Sequence, residues 1–146
     1  MKKYPIISIS AIPSLIKKAK EDFEENILFL SPDKGGQRRT KISGLRKKRY
    51  DSFSVKILSP KINLNGEIVA VIDDMIKTGG TLLKFAEFAK KSGAKKILAL
   101  ITHGVLPAGI LKIKKKYSKL YLTNTIKRKE SNIDIVNLIL KTVSES

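Results

Sequence analysis

The chain contains no cysteine, which excludes disulfides, thiolate metal sites and cysteine nucleophiles. Its single histidine, His103, excludes a multi-histidine metal centre. Aromatics are sparse, with four tyrosines and five phenylalanines and none interleaved in the densest cationic run, so a base-stacking platform for single-stranded nucleic acid is poorly supported. No apolar stretch is long enough to span a bilayer, and the opening Met1-Lys2-Lys3-Tyr4-Pro5 leads into no signal-peptide core because Pro13 and Lys17 interrupt it. Internal repeats, low-complexity tracts and proline-rich linkers are also lacking. These absences predict a soluble, cytoplasmic protein without a membrane partner. Acids are few as well, 13 against 30 lysines and arginines, which leaves a formal charge of +17.

Such a charge raises the question of nucleic acid. Lysines, however, also cluster as Lys90-Lys91, Lys95-Lys96 and Lys112 to Lys116, positions that read as solvated helix faces and helix ends. The run from Arg38 to Arg49 differs, with seven cations in twelve positions and no acid. It adjoins a candidate phosphate site and would draw in polyphosphates electrostatically.

With 42% apolar residues, 146 residues suffice for one domain with a real core, and the whole chain is read as that domain. Periodicity predicts a helix capped by Ser14 and running to Glu25, a strand over Ile27 to Leu30, and a turn at Asp33 to Gly36 opening a short basic helix. A partly exposed strand over Phe53 to Leu58, a turn over Ile62 to Gly66 and a strand over Val69 to Asp73 follow. The next helix ends near Ser92-Gly93. After it come a strand over Lys96 to Thr102, a helix from Pro107, a strand over Leu120 to Thr123 and a closing helix over Ile133 to Val143. Strands alternating with helices predict an α/β fold of three layers, a mainly parallel sheet flanked by helices, whose ligands bind outside the carboxyl ends of the strands.

The densest chemistry lies in Val69 to Thr81, VAVIDDMIKTGGT. Four apolar residues suit a strand buried on both faces, and Leu82, Leu83, Ala86 and Ala89 then recur at helical spacing. The polar residues therefore fall where a strand passes into a helix, and there the first-turn N–H groups and the positive end of the helix dipole hold an anion. Gly79 and Gly80 admit close backbone approach, while Thr78 and Thr81 add hydroxyls, with Thr81 read as the N-cap. Asp73 and Asp74 cannot serve that anion. They suit sugar hydroxyls, or Mg²⁺ held through water. A phosphate cradle beside a hydroxyl-reading acid pair fits a sugar phosphate better than a connection whose acids only start a helix and whose glycines only turn the chain.

This string resembles the phosphoribosyl pyrophosphate (PRPP) binding motif of type I phosphoribosyltransferases and PRPP synthetases. Ser31-Pro32-Asp33-Lys34-Gly35-Gly36 with Arg38, Thr102-His103-Gly104-Val105-Leu106 and Thr123-Asn124-Thr125-Ile126 resemble the synthetase branch, and Ser10-Ala11-Ile12-Pro13 resembles the segment leading into its second half. The likeness is to the C-terminal half of a ribose-phosphate pyrophosphokinase. It implies a type I phosphoribosyltransferase-like domain that binds ribose 5-phosphate and PRPP. ATP would be bound only with a complementary chain, either a separate N-terminal-half protein or a homo-oligomer.

By the same resemblance Asp73 and Asp74 face the ribose hydroxyls and the associated Mg²⁺, and Lys77, Thr78, Gly79, Gly80 and Thr81 wrap the 5-phosphate. Asp33, Gly35 and Gly36 line the pyrophosphate side, with Asp33 on sugar or metal or in an Asx-turn. Arg38 contacts phosphate or covers a helix surface, and His103 is either functional or a structural strand-end histidine. In the family a Lys and an Arg of this region approach the phosphoryl group in transit, and Lys48 and Arg49, beside Lys47, are the candidates for that catalytic role. Two departures stand out. Lys77 occupies a position where many synthetases carry Asp, and the span from Gly36 to Asp73 is about ten residues shorter than the family's, enough to trim a helix and an edge strand. The resemblance implies a diphosphokinase making PRPP and AMP from ribose 5-phosphate and ATP. The alternatives are a stand-alone phosphoribosyltransferase and a non-catalytic PRPP-binding regulatory subunit.

Overall fold

The computed structural model of the protein describes residues 6–32, 56–57 and 62–146. Five parallel strands form one sheet: β1 (Ile27–Ser31), β2 (Lys56–Ile57), β3 (Ile68–Ile76), β4 (Lys96–Gly104) and β5 (Lys119–Leu122), in the order β2-β1-β3-β4-β5. Four helices are described: α1 (Ile12–Asp22), α2 (Gly80–Lys91), α3 (Pro107–Lys116) and α4 (Val136–Ser144). The α/β class and the parallel sheet between helices are those expected from the strand and helix alternation. No helix among the described residues is long and apolar enough to cross a membrane.

Strand alternation explains both halves of the core. Val69 and Val71 of β3, with Ile97, Ala99 and Ile101 of β4, face Leu82, Phe85, Ala86 and Ala89 of α2 and Ile110 and Ile113 of α3. Ile68, Ala70 and Ile72, with Leu98 and Leu100, face Leu15, Ile16 and Ala19 of α1. Each fully buried Leu or Ile side chain stabilises the fold by roughly 1.5–3 kcal/mol before entropy is counted.

Helix limits differ from expectation where local polar groups intervene. Ser14 lies inside α1, which starts earlier because Pro13 is pre-shaped for a first turn and the Ser10 hydroxyl accepts the Ile12 N–H at 3.3 Å. α4 begins at Val136 because Ile133 is taken up in a parallel bridge with Thr123, and the Asp134 carboxylate accepts the Val136 N–H at 2.9 Å. The end of α2 is as expected: Gly93, at φ 81°, lets the Ala94 N–H reach back to the Ala89 carbonyl at 3.0 Å.

A polar clasp fastens α1 to β5. Asp22 Oδ2 accepts hydrogen bonds from Lys119 Nζ and from the Tyr121 hydroxyl, both at 2.8 Å, and Lys18 lies 3.6 Å from Oδ1. The Lys119 bond first, then that of Tyr121, hold the Asp22 carboxyl down to about 2 from its ordinary 3.8. A depressed carboxyl stabilises the fold above its unfolded value, and that contribution disappears as pH falls through its folded value. We therefore expect the stability difference between wild type and Asp22→Asn to be fully present above about pH 4 and to vanish toward pH 2, as read by urea denaturation at stepped pH. Added salt should shrink it, because the clasp is partly exposed. A difference that does not change with pH would sink this account.

Candidate functional site

The strand order reverses direction about β1: one crossover leads outward to β2 and the next passes back to β3. The crevice outside the carboxyl ends of β1 and β3 is thus the switch point of the sheet, where ligands of such folds bind. β1 delivers the buried Ser31 to that end. β3 delivers Asp73 and Asp74.

Both acids lie within the strand and not in the loop after it. β3 stays in register with β4 through Met75↔His103 and Ile76↔Gly104, three residues beyond the predicted end. Asp73 continues the face of Val69 and Val71, toward α2 and α3, and Asp74 follows it at the strand end. Asp73 is 9% exposed and Asp74 half-buried. Asp73 Oδ1 accepts the Asp74 N–H at 2.9 Å, which fixes its carboxylate against the backbone. On the same side the buried Tyr117 hydroxyl donates to the Leu82 carbonyl at 2.6 Å. Burial, and then the charge of Asp73, push that hydroxyl well above its ordinary value, so Tyr117 is a fixed neutral donor.

Past Ile76 the chain runs through the exposed Lys77 and Thr78 to Gly79, whose φ of 83° and ψ of 6° turn it directly into α2. The Gly79 carbonyl accepts the Leu83 N–H at 2.9 Å, the first bond of the helix. Gly79 is therefore the N-cap. Thr81, expected to cap, is the second residue of α2 and exposed, because the left-handed glycine starts the helix two residues earlier. No side chain caps this end, so the first-turn N–H groups and the positive end of the dipole face outward past Thr78, Gly80 and Thr81. The structure thus brings Asp73, Asp74, Lys77, Thr78, Gly79, Gly80 and Thr81 to one end of β3.

His103 reaches the neighbouring strand end. Its Nδ1 lies 2.7 Å from the Thr125 hydroxyl, which itself donates to the Thr102 carbonyl at 2.9 Å. The ring is thereby tied to the loop after β5. Asp33, Gly35, Gly36, Arg38, Lys48 and Arg49 lie outside the described residues. Among the described residues no group of three or more His, Asp or Glu side chains gathers to hold a metal ion.

Three contributors escaped the sequence reading. Arg128 donates from Nε to the Gly104 carbonyl at 3.0 Å and from Nη2 to that of Val105 at 2.6 Å, bracing the loop between β4 and α3. That loop is in turn bonded to β3, Val105 N–H to Ile76 carbonyl at 2.9 Å. Tyr117 is the second contributor, and Gly109, packed under the Lys77 carbonyl, is the third. A glycine inside a helical pattern is a visible flag for close packing. A lone arginine in a loop and a tyrosine after a lysine run carry no comparable signal.

Residues 51–146 match the model of the phosphoribosyl synthetase-associated domain. The chain is 36% identical to the ribose-phosphate pyrophosphokinase of Pyrococcus abyssi, an alignment covering 78% of this chain and 44% of that protein. It is 35% identical to that of Pyrococcus furiosus over 94% of this chain and 53% of the relative. The chain thus spans about half the length of the curated relatives it matches. Among solved structures, the phosphoribosylpyrophosphate synthetase of Mycobacterium smegmatis superposes with a TM-score of 0.63 at 21% identity, covering 91% of this chain and 48% of that one, a likeness of fold.

Proposed function

Since the chain belongs to the phosphoribosyl synthetase-associated domain family, we propose that it is the ribose 5-phosphate and PRPP-binding half of a ribose-phosphate diphosphokinase, completed by a separately supplied half. The observation that carries this reading is the acid pair at the carboxyl end of β3, followed directly by the left-handed turn at Gly79 and the uncapped start of α2. A 5-phosphate set on the first-turn N–H groups places the sugar hydroxyls back toward Asp73 and Asp74.

In the proposed reaction the anomeric oxygen of ribose 5-phosphate forms a bond to the β-phosphorus of ATP and gives up its proton. The bond from that phosphorus to the oxygen it shares with the α-phosphate breaks, and AMP leaves. This chain holds and orients the acceptor, so its contribution is positioning. Mg²⁺ suits the donor set, because two carboxylates can hold an ion that keeps several waters and takes further oxygens from substrate. Asp73 and Asp74, with Asp33, would hold it, and when bound it neutralises charge on phosphoryl oxygens. Lys48 and Arg49 are assigned the same task from the protein side. The adenine pocket belongs to the complementary chain or to a second copy.

The half-length match keeps one other reading in play, a regulatory subunit that binds PRPP without turnover. Calorimetric titration of the protein with ribose 5-phosphate and Mg²⁺ tests the site alone. Saturable one-site binding that disappears in Asp73→Ala/Asp74→Ala protein is the expected result. Folded wild-type protein that binds neither ribose 5-phosphate nor PRPP would sink the reading. Binding without PRPP formation, in the presence of ATP and the complementary half, would favour the regulatory subunit.

A further inference from the structure

The turn that follows β3 does not stand free; it is seated on α3. Gly109 is buried in the first half of that helix, and the Lys77 carbonyl oxygen occupies the space a side chain would fill. A methyl group on Gly109 would stand well inside van der Waals contact of that oxygen, and 3.0 Å and 3.1 Å from the Lys77 carbonyl carbon and the Ile76 Cγ2. The contact is reciprocal. A methyl on Gly79 would stand 3.2 Å from Ile113 Cδ1 and 3.5 Å from the Gly109 carbonyl oxygen. Gly109 and Ile113, one helical turn apart, therefore form a notch that receives residues 77 to 79.

The notch has a chemical consequence. No cis peptide occurs among the described residues, so in the Lys77–Thr78 unit the carbonyl and the N–H point in opposite senses. With the Lys77 carbonyl directed into the notch, the Thr78 N–H is directed away from α3. That is the exposed side, shared with the Thr78 side chain and the start of α2. We infer that Gly109 is a positioning residue for the phosphate turn: by admitting the Lys77 carbonyl, it aims the Thr78 N–H and sets the left-handed turn at Gly79 at the height a bound phosphate needs. The inference rests on the sugar-phosphate reading of the site. It adds a residue of another helix, remote in sequence from the motif, that touches no ligand.

The test uses the full chain and three variants. Gly109→Ala must lift the turn by close to an ångström, and its affinity for ribose 5-phosphate is expected to fall at least about tenfold. The amide resonances of Thr78, Gly79 and Gly80 should shift with it. Helix propensity alone would act the other way, since alanine favours a helix interior over glycine. Ala108→Gly, on the exposed neighbour, weakens the same helix without touching the turn and should bind like wild type. Should Gly109→Ala not fold, Ile113→Val removes the methyl nearest Gly79 and is expected to give a smaller loss of affinity with shifted Gly79 and Gly80 amides.

Unchanged affinity in a variant with wild-type binding as reference, or turn amides that stay in place while only α3 responds, overturns the inference. An equal loss in Ala108→Gly overturns it too, because the effect would then be general softening of α3. If wild-type protein binds no sugar phosphate, the functional reading falls, and the amides of the Gly109→Ala turn still decide whether the notch sets its position.

Discussion

Asp73→Asn protein is expected to bind ribose 5-phosphate about a hundredfold more weakly than wild type while unfolding at nearly the same urea concentration, since charge-assisted hydrogen bonds to two hydroxyls are worth about 3 kcal/mol together. The substitution is chosen to separate charge from shape. Asn can keep the oxygen that accepts the Asp74 N–H at 2.9 Å, so the strand end stays in place. What it loses is the negative charge to which the proposed function assigns the hydroxyl donors and the hydrated cation. A companion measurement without Mg²⁺ divides these two roles. If Asp73 acts mainly on hydroxyls, the ratio between the proteins persists without the metal; if it acts mainly through the ion, the ratio collapses. Equal binding by variant and wild type in both conditions would remove Asp73 from the site.

Tyr121→Ala should be the most damaging single change in the core, lowering stability by about 4 kcal/mol in denaturant titration. Tyr121 is fully buried between β5 and α1, and its hydroxyl reaches Asp22. Truncation opens a cavity the size of an aromatic ring and removes one of the two donors holding a carboxylate. Tyr121→Phe isolates the second effect and should lower stability by only about 1 kcal/mol. A loss that large is a big share of the 5–15 kcal/mol typical of a domain, so Tyr121→Ala protein is expected to be partly unfolded at 37 °C. A small effect of Tyr121→Ala would mean that α1 collapses onto the sheet without the ring.

Among the described residues the order of strands and helices was legible because apolar runs and helical periodicity are dense in this chain, and Pro107 and Gly93 mark helix ends by their own backbone chemistry; the short basic helix expected after Gly36 lies outside the described residues. What escaped was set by partners distant in sequence. β3 continues through two aspartates because β4 holds it in register to Gly104, and no propensity favours aspartate in a strand. Hence the acids turned out to lie within the strand. Thr81 has the chemistry of a cap, but Gly79 had already turned the chain, and a left-handed glycine was equally consistent with a loop. Ile133 reads as the apolar start of a helix until the Thr123 bridge claims it. The motif was visible as a string of residue types. Its footing on Gly109 and the brace from Arg128 depend on how α3 and the loop after β5 pack, which a local pattern does not encode.

The strand pairing also sets when the crevice comes into being. No two paired strands are closer than about twenty residues along the chain, and β1 must find β3 across the whole segment that contains β2. Folding of this sheet is therefore governed by non-local closure, and the pocket between β1 and β3 does not exist until the most widely separated pair has zipped. A ligand of that pocket recognises only chains that have completed this step. Through mass action such a ligand stabilises the paired sheet by RT ln(1 + [L]/Kd), so on the proposed reading sugar phosphate in the surroundings would be a term in the protein's folding equilibrium.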